Sequence, residues 1–294
     1  MSEKMIQANG VDLCTESFGN PTDPTLLLIA GAASSMLWWP QEFCQKLAEA
    51  GRYVIRYDYR DTGRSITYEP GQIGYSWDDL TDDAVGVLDA YGVDRAHLVG
   101  LSMGGMIAQL VALKYPERAI AMTVMMSKPF APTNSDALTI ENEEFLAHFA
   151  TGSTLDWADE AAVIDYTVES WRLTSAGSKH PFDEMSIRAL AAEDVKRANN
   201  MPSMMNHALL TGGDRYGNRL GEINIPALVI HGTADSIVNY QHGVTLAKEL
   251  PNATLLTLEG TAHELHRNDW DTIIGVIINH TRRFEPLDLS RKVI

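Results

Sequence analysis

Residues 96–113 read AHLVGLSMGGMIAQLVAL, a strand pattern that runs directly into a helix pattern. The apolar run at 96–99 predicts a buried strand, residues 100–104 fit the pattern G-x-S-x-G, and residues 106–113 predict a helix. A serine hydroxyl is a weak nucleophile unless a sharp turn exposes it, and small flanking residues let the backbone make that turn. Ser102 is therefore the predicted catalytic nucleophile.

A nucleophilic serine needs a general base and an acid that orients this base. After a strand-turn-helix nucleophile, the acid is expected first along the chain and the base second. Residues 226–235 predict a buried strand that breaks at a glycine and ends at Asp235, and His263 lies in the loop after the next predicted strand, 253–258. Catalytic groups of open α/β sheets gather at the carboxyl ends of the strands. Asp235 and His263 are therefore the predicted acid and base.

Other residues compete for these roles. His266 lies three residues after His263, and only its position, at the predicted start of a helix, argues against it as the base. A zinc site is not predicted, because His263, Glu264 and His266 lack a full ligand set. Asp58 and Asp61 precede the serine, in the wrong order for the acid. The neighbouring arginines and a turn glycine favour a hydrogen-bonded loop for these two carboxylates.

Acyl transfer also requires hydrogen-bond donors for the negative oxygen that develops on the substrate. The turn supplies one such donor, the backbone amide of Met103 directly after the serine. The apolar strand predicted at 25–30 ends in small residues, and the loop that follows is expected to supply the second. The amide of Ala32 is the preferred candidate and that of Ala33 the alternative.

Length, charge and the absence of certain motifs restrict the classes of function that the chain can have. The chain has 294 residues and a net charge of −16, which argues against nucleic acid and anionic membrane surfaces as partners. Neither a secretory leader nor an apolar run of membrane-spanning length is evident, so the cytoplasm is the expected location. No dinucleotide or P-loop motif occurs, and no cofactor is predicted. The expected partner is a small-molecule ester, and the sequence does not define an oligomeric state.

The order of the predicted elements indicates an α/β fold with a mainly parallel sheet and helices on both faces. Short strands come first, and strands then alternate with helices. Between residues 127 and 220 this alternation stops, and polar breaks separate segments that resemble helices. The prediction is a core formed by residues 1–127 and 221–294, interrupted by a helical cap at 128–220.

Large apolar side chains in the cap are candidates to line a pocket for a bulky apolar group. The main candidates are Trp157, Trp171, Met204 and Met205. Further candidates are Phe182, Met185 and Met201. The alternative interpretation is that most of these side chains only pack the cap onto the sheet.

The turn motif, the Ser-Asp-His order and the interrupted sheet resemble the α/β-hydrolase superfamily over nearly the whole chain. Within it, residues 18–24, 58–65 and 93–104 are similar to the aclacinomycin methylesterase group, a likeness that covers about the first 125 residues. This resemblance implies hydrolysis of a methyl ester on a polyketide-derived ring system. A serine at the turn points to attack on an acyl carbon, whereas dehalogenases and epoxide hydrolases use aspartate there.

The sequence thus predicts a serine carboxylic-ester hydrolase that acts through an acyl-enzyme. Two other reactions of the superfamily stay open, namely perhydrolysis of the haloperoxidase type and hydrolysis of a carbon–carbon bond. A non-catalytic ligand receptor on the same scaffold is the alternative from a different functional class.

Overall fold

The computed structural model of the protein describes residues 3–130 and 142–284. Its strands are β1 (Lys4–Ala8), β2 (Val11–Phe18), β3 (Thr25–Ile29), β4 (Tyr53–Tyr57), β5 (Ala96–Leu101), β6 (Ala119–Met125), β7 (Ala227–Gly232) and β8 (Ala253–Leu258). They form one eight-stranded sheet in the order β1-β2-β4-β3-β5-β6-β7-β8. The strands β1 and β2 are antiparallel to their neighbours, and all the others run parallel.

The parallel part of the sheet is covered on both faces. Every residue of β3, β4, β5 and β7 is buried, as the continuous apolar patterns of these strands predict. The covering helices are α1 (Gln41–Glu49), α2 (Trp77–Ala90), α3 (Met103–Lys114), α7 (Tyr240–Glu249) and α8 (Trp270–Arg282). The predicted α/β fold with a mainly parallel sheet is confirmed.

The strand order reverses beside β3. The chain passes from β3 to β4 on one side and later places β5 on the other side of β3. The loops that leave the carboxyl ends of β3 and β5 therefore diverge, and such a switch point leaves a crevice in an open α/β sheet. The Ser102 turn follows β5 and lies at this crevice.

The described part of the chain between β6 and β7 forms helices. These are α4 (Glu143–Thr151), α5 (Glu160–Thr174), α6 (Glu184–Arg197) and a 3-10 helix, Met201–Leu209, with two short 3-10 turns behind them. Within residues 142–220 the structure contains no strand. The helical character expected of this segment is present, while the domain limits at 127 and 220 stay predictions. Across both described ranges, no helix combines the length and the apolar composition that crossing a membrane requires.

Candidate active site

The turn between β5 and α3 holds Ser102 in a strained conformation, with φ of 53° and ψ of −116°. The flanking glycines make this turn possible. A Cβ atom at Gly100 would lie 2.2 Å from the carbonyl oxygen of Gly104, and one at Gly104 would lie 2.1 Å from that of Ile29. The Ser102 amide donates to the carbonyl of Met125 at 2.8 Å, which fixes the turn to the next strand. Strain that the surrounding structure maintains in this way is typical of functional sites.

Asp235 and His263, which follow β7 and β8, lie in hydrogen-bond contact. The Nδ1 atom of His263 lies 2.8 Å from Oδ2 of Asp235, and both residues are buried. His263 and Ser102 line the same cavity. Because the carboxylate accepts a hydrogen bond from the Nδ1–H group, Nε2 is the nitrogen of the neutral His263 ring that carries no proton.

The Asp235 carboxylate is held from several sides. Its Oδ1 atom accepts hydrogen bonds from the amides of Ile237 at 2.9 Å and Val238 at 2.8 Å. The buried His231, on β7, places Nε2 3.3 Å from Oδ2 and donates to the Val238 carbonyl at 2.8 Å. Burial raises the pKa of Asp235, but the charge of His263 and the hydrogen bonds from both histidines outweigh it and hold this pKa well below its usual range. The carboxylate therefore stays ionised.

The competing histidine has other contacts. His266 lies at the start of a 3-10 turn, where Nδ1 accepts a hydrogen bond from the Asn268 amide at 3.1 Å. Its ring stacks on that of His180, with centroids 4.0 Å apart. It is not among the residues that line the cavity with Ser102.

The two early carboxylates are buried, and other segments of the chain donate hydrogen bonds to them. Asp58 accepts hydrogen bonds from the Met36 amide at 2.8 Å and from Nη2 of Arg197 at 2.7 Å. Asp61 accepts from the Tyr75 hydroxyl at 2.8 Å. These bonds agree with the structural role expected of both residues.

The loop after β3 approaches the serine closely, since a Cβ atom at Gly31 would lie 3.6 Å from Cβ of Ser102. Its two candidate donors differ. The Ala33 amide donates to Nδ1 of His207 at 2.9 Å, whereas the Ala32 amide donates to no residue in the ranges 3–130 and 142–284. Met103 is the first residue of α3, where an amide has no acceptor within the helix and lies at the positive end of the helix dipole. The amides of Ala32 and Met103 are thus available to a substrate oxygen.

The described residues border a cavity of about 410 Å³, and Ser102 and His263 are among the residues that line it. Five aromatic side chains contribute to its lining, and we call them the aromatic wall: Trp38, Phe145, Phe149, Tyr166 and Trp171. Rings of Trp38 and Trp171 stack with centroids 4.2 Å apart and planes inclined by 19°. Such a lining suits a large, flat, apolar group.

The predicted pocket residues divide into two pairs. Trp171 and Met204 line the cavity, whereas Trp157 and Met205 are not among its lining residues. The Trp157 indole lies behind the aromatic wall, with its ring edge against Tyr166 and Nε1 donating to the Gly152 carbonyl at 3.0 Å. The Met205 side chain packs next to Gly152. Of the further candidates, Met201 lines the cavity.

Sequence reasoning missed three polar or aromatic residues of the cavity. Trp38 precedes α1, Asp194 lies on α6, and His207 lies in the 3-10 helix. Nε1 of Trp38 donates to Oδ2 of Asp194 at 2.9 Å, so a buried carboxyl group on α6 orients the Trp38 indole. No motif marks these residues, because each acquires its role through a contact with a distant part of the chain.

Comparisons with known proteins identify the family of this chain. Residues 20–271 match the family described as serine aminopeptidase, S33. Rhodomycin D methylesterases of Streptomyces sp. (strain C5) and Streptomyces peucetius are 34% and 33% identical over 297 aligned residues, covering 96% of this chain and 99% of each relative. In fold, an esterase from Rhodococcus sp. ECU1013 matches with a TM-score of 0.79 at 20% identity, covering 97% of this chain and 100% of that chain. The chain therefore belongs to the α/β-hydrolases, in the serine aminopeptidase S33 family.

Proposed function

We propose that this chain is a serine carboxylic-ester hydrolase that acts through an acyl-enzyme. The observation that carries the proposal is the placement of Ser102 and His263 on one cavity, with His263 hydrogen-bonded to the buried Asp235. The relationship to two methylesterases along nearly the whole chain supports the same reaction type.

Acylation begins when Nε2 of His263 takes the hydroxyl proton of Ser102 as its Oγ attacks the ester carbonyl. The carbonyl π pair moves onto oxygen, and the amides of Ala32 and Met103 stabilise that oxyanion. The ionised Asp235 stabilises the imidazolium and fixes its orientation. When the oxyanion collapses, the bond to the alcohol oxygen breaks, His263 protonates the leaving alcohol, and the acyl group remains on Ser102.

Deacylation repeats these steps with water. His263 takes a proton from water, the resulting hydroxide attacks the acyl carbon, and the bond to Ser102 Oγ breaks as the serine regains its proton. The products are a carboxylic acid and an alcohol. All the required groups are side chains or amides of this protein.

The preferred substrate is a methyl ester on a fused aromatic ring system. The cavity of about 410 Å³ and its aromatic wall suit a flat apolar body, while the loop after β3 lies close to the serine. The two relatives are named as methylesterases of rhodomycin D, and their names support the same class of ester.

Hydrolysis of methyl anthracene-9-carboxylate and of p-nitrophenyl acetate, measured with the purified protein and its Ser102→Ala variant, tests the proposal. We expect turnover of both esters, and a loss of about a thousandfold or more in the variant, since the serine, base and acid act as one unit. A fluorophosphonate should label Ser102, as seen by peptide mass spectrometry. Ser153→Ala is the matched control, because that exposed hydroxyl donates to the Ala150 carbonyl and Ser153 is not among the residues that line the cavity.

Other outcomes would overturn the proposal in distinct ways. Binding of the aromatic ester with no turnover would indicate a ligand receptor. Peroxyacid formation from acetate and hydrogen peroxide without ester hydrolysis would indicate a perhydrolase, and cleavage of a vinylogous diketone alone would indicate a carbon–carbon bond hydrolase. Equal activity of the Ser102→Ala variant and the native protein would reject the nucleophile.

A further inference from the structure

The buried His207 has both ring nitrogens in hydrogen bonds to the backbone. Its Nδ1 atom accepts from the Ala33 amide at 2.9 Å, and its Nε2 atom lies 2.9 Å from the carbonyl oxygen of Arg60. An amide can only donate and a carbonyl can only accept, so the proton of the neutral ring is on Nε2. Burial lowers the pKa of His207, which keeps the ring neutral.

The surroundings of His207 fix its position as well as its tautomer. The ring lies nearly perpendicular to those of Tyr59 and Tyr75, with centroids 5.6 Å and 6.4 Å away. The preceding Asn206 donates to Oδ2 of Asp61 at 2.9 Å. The 3-10 helix that carries His207 is thus anchored to the loop after β4.

The acceptor end of His207 holds the loop that approaches the catalytic serine. Ala33 adopts a φ of 55°, a left-handed conformation that a non-glycine residue keeps only when its surroundings hold it. The hydrogen bond to His207 turns the Ala33 amide toward the imidazole and removes it as a donor to substrate. The Ala32 amide has no acceptor within the described ranges, and Ala32 lines the cavity with Ser102.

We infer that His207 is a positioning residue for the oxyanion hole. Through its bond to Ala33 it determines which amide of this loop meets the substrate oxygen and holds that amide in place before the reaction begins. This inference rests on the proposed ester hydrolysis. It also links the segment that follows α6 to the chemistry of the core.

Two substitutions test the hydrogen bonds of the two ring nitrogens of His207 separately. In His207→Asn, the amide oxygen can occupy the Nδ1 position and still accept from Ala33. In His207→Gln, the amide nitrogen can occupy the Nε2 position and donate to Arg60, but the acceptor for Ala33 is lost. For p-nitrophenyl acetate we expect kcat to fall about a hundredfold in the Gln variant, approaching the loss of one oxyanion donor, and less than about tenfold in the Asn variant. KM should change little, because the bond acts on the transition state.

The affinity for a transition-state analogue is a further test, because it would not change selectively if His207 contributed only to packing. Phenyl trifluoromethyl ketone accepts Ser102 Oγ at its carbonyl carbon, the serine proton goes to His263, and the resulting alkoxide occupies the oxyanion hole. Acetophenone is the ground-state counterpart. The Gln variant should bind the fluoroketone about a hundredfold more weakly, in line with kcat, while its affinity for acetophenone stays within about threefold of the native value.

His280→Gln is the control for disturbing a buried histidine, since His280 lies on α8 and does not line the cavity. If the Gln variant does not fold, nitrogen NMR of the native protein decides, because the inference requires His207 to carry its proton on Nε2 and to keep it there when the fluoroketone binds.

Two results would overturn the inference. One is an equal loss of kcat in the Asn and Gln variants that follows their melting temperatures, and the other is a proton on Nδ1 of His207. If Ser102→Ala is inactive while His207→Gln retains native kcat, only this inference fails. If Ser102→Ala keeps full activity, the proposed function itself is rejected.

Discussion

His263 Nδ1 lies 2.8 Å from Asp235 Oδ2, although the two residues are separated by 28 positions and follow different strands. The parallel pairing of β7 with β8 brings them together. Its register pairs Gly232 with Leu258, the last residues of the two strands, so both strands end at the same edge of the sheet. The loops that carry Asp235 and His263 therefore leave the sheet side by side. The contact is therefore a consequence of strand pairing, which is rigid, and its geometry should tolerate changes in the cap helices.

Substitution of the two neighbouring histidines should have very different effects. We expect His263→Ala to lower kcat on p-nitrophenyl acetate nearly as much as Ser102→Ala, by about a thousandfold or more, and the double variant to be little worse than either. His266→Ala is the matched comparison and should cost less than about tenfold, because this residue caps a 3-10 turn. Steady-state kinetics on the native protein and the four variants decides. A larger loss for His266→Ala would assign the base to His266.

Asp235→Asn should lower kcat while keeping the fold. The amide has nearly the shape of the carboxylate, but it cannot stabilise the imidazolium, and it can favour the wrong tautomer of His263. We expect a loss of about a hundredfold to ten-thousandfold at pH 7. Asp58→Asn serves as the comparison and should act mainly on stability, since Asp58 binds the Met36 amide and Arg197. Full activity of Asp235→Asn together with loss in a folded Asp58→Asn protein would contradict the assignment of the acid.

Gly104 is a site where one methyl group should disrupt the active site. A Cβ atom there would lie 2.1 Å and 2.5 Å from the carbonyl oxygens of Ile29 and Ala30, both in the backbone, so α3 or β3 must shift. Gly104→Ala should lower the free energy of unfolding by about 1–3 kcal/mol and reduce kcat. Gly275→Ala on α8 has open space and should raise stability by about 0.5–1 kcal/mol. Urea unfolding measures both, and equal effects of the two substitutions would contradict the steric argument.

The predictable part of this site is the part that local sequence encodes. The turn at Ser102 is predicted by two glycines between a strand pattern and a helix pattern. The candidate roles of Asp235 and His263 are predicted by their positions directly after strands. His207 and Asp194 gain their roles only through contacts with Ala33 and Trp38, more than 150 residues away along the chain. No local periodicity encodes such contacts.

The cap shows the same limit for apolar side chains. A short helix with large residues on more than one side does not reveal which side meets the cavity. Trp171 and Met204 line the cavity, but Trp157 supports the wall from behind and Met185 is 81% exposed. Hydrophobicity predicts that such residues are buried more reliably than it predicts what they contact.

Asp194 should make stability depend on pH. Burial raises the pKa of this carboxyl to about 6, above its ordinary value, so the folded state holds a proton that the unfolded state has released. Stability contributed by the protonated form is therefore fully present below the unfolded pKa and is lost as pH rises through about 6. Asp194→Asn keeps an acceptor for Trp38 and removes the charge.

The variant should gain stability over the native protein at pH 7.5, by about 1–3 kcal/mol, and this advantage should shrink at pH 4.5. Urea unfolding at both pH values measures it. Asp183→Asn at the exposed start of α6 is a control from the same helix, with a lowered pKa that arises from its bonds to Ser186. An advantage of the same size at both pH values would contradict the role of Asp194 ionisation.

The two tryptophans of α5 and its preceding loop form a matched pair for testing substrate preference. Trp171 stacks on Trp38 in the cavity, whereas Trp157 packs against Tyr166 and is not among the residues that line the cavity. Binding energy from remote parts of a substrate acts only on substrates large enough to reach those contacts. Trp171→Ala should therefore lower kcat/KM for methyl anthracene-9-carboxylate by about tenfold or more and change that for p-nitrophenyl acetate by less than about threefold.

Trp157→Ala should lower the melting temperature and leave the ratio of the two kcat/KM values near its native value, because this side chain supplies packing to the cap. Met204→Ala and Met205→Ala form a second matched pair on the 3-10 helix. Met204 lines the cavity and corresponds to Trp171, whereas Met205 does not line it and corresponds to Trp157. Relative kcat/KM on the two esters, beside the melting temperature of each variant, separates the two effects. If Trp171→Ala and Trp157→Ala depress both esters in the same proportion as stability, the aromatic wall does not contact the substrate, and the case for a flat aromatic ester then rests on the methylesterase relatives alone.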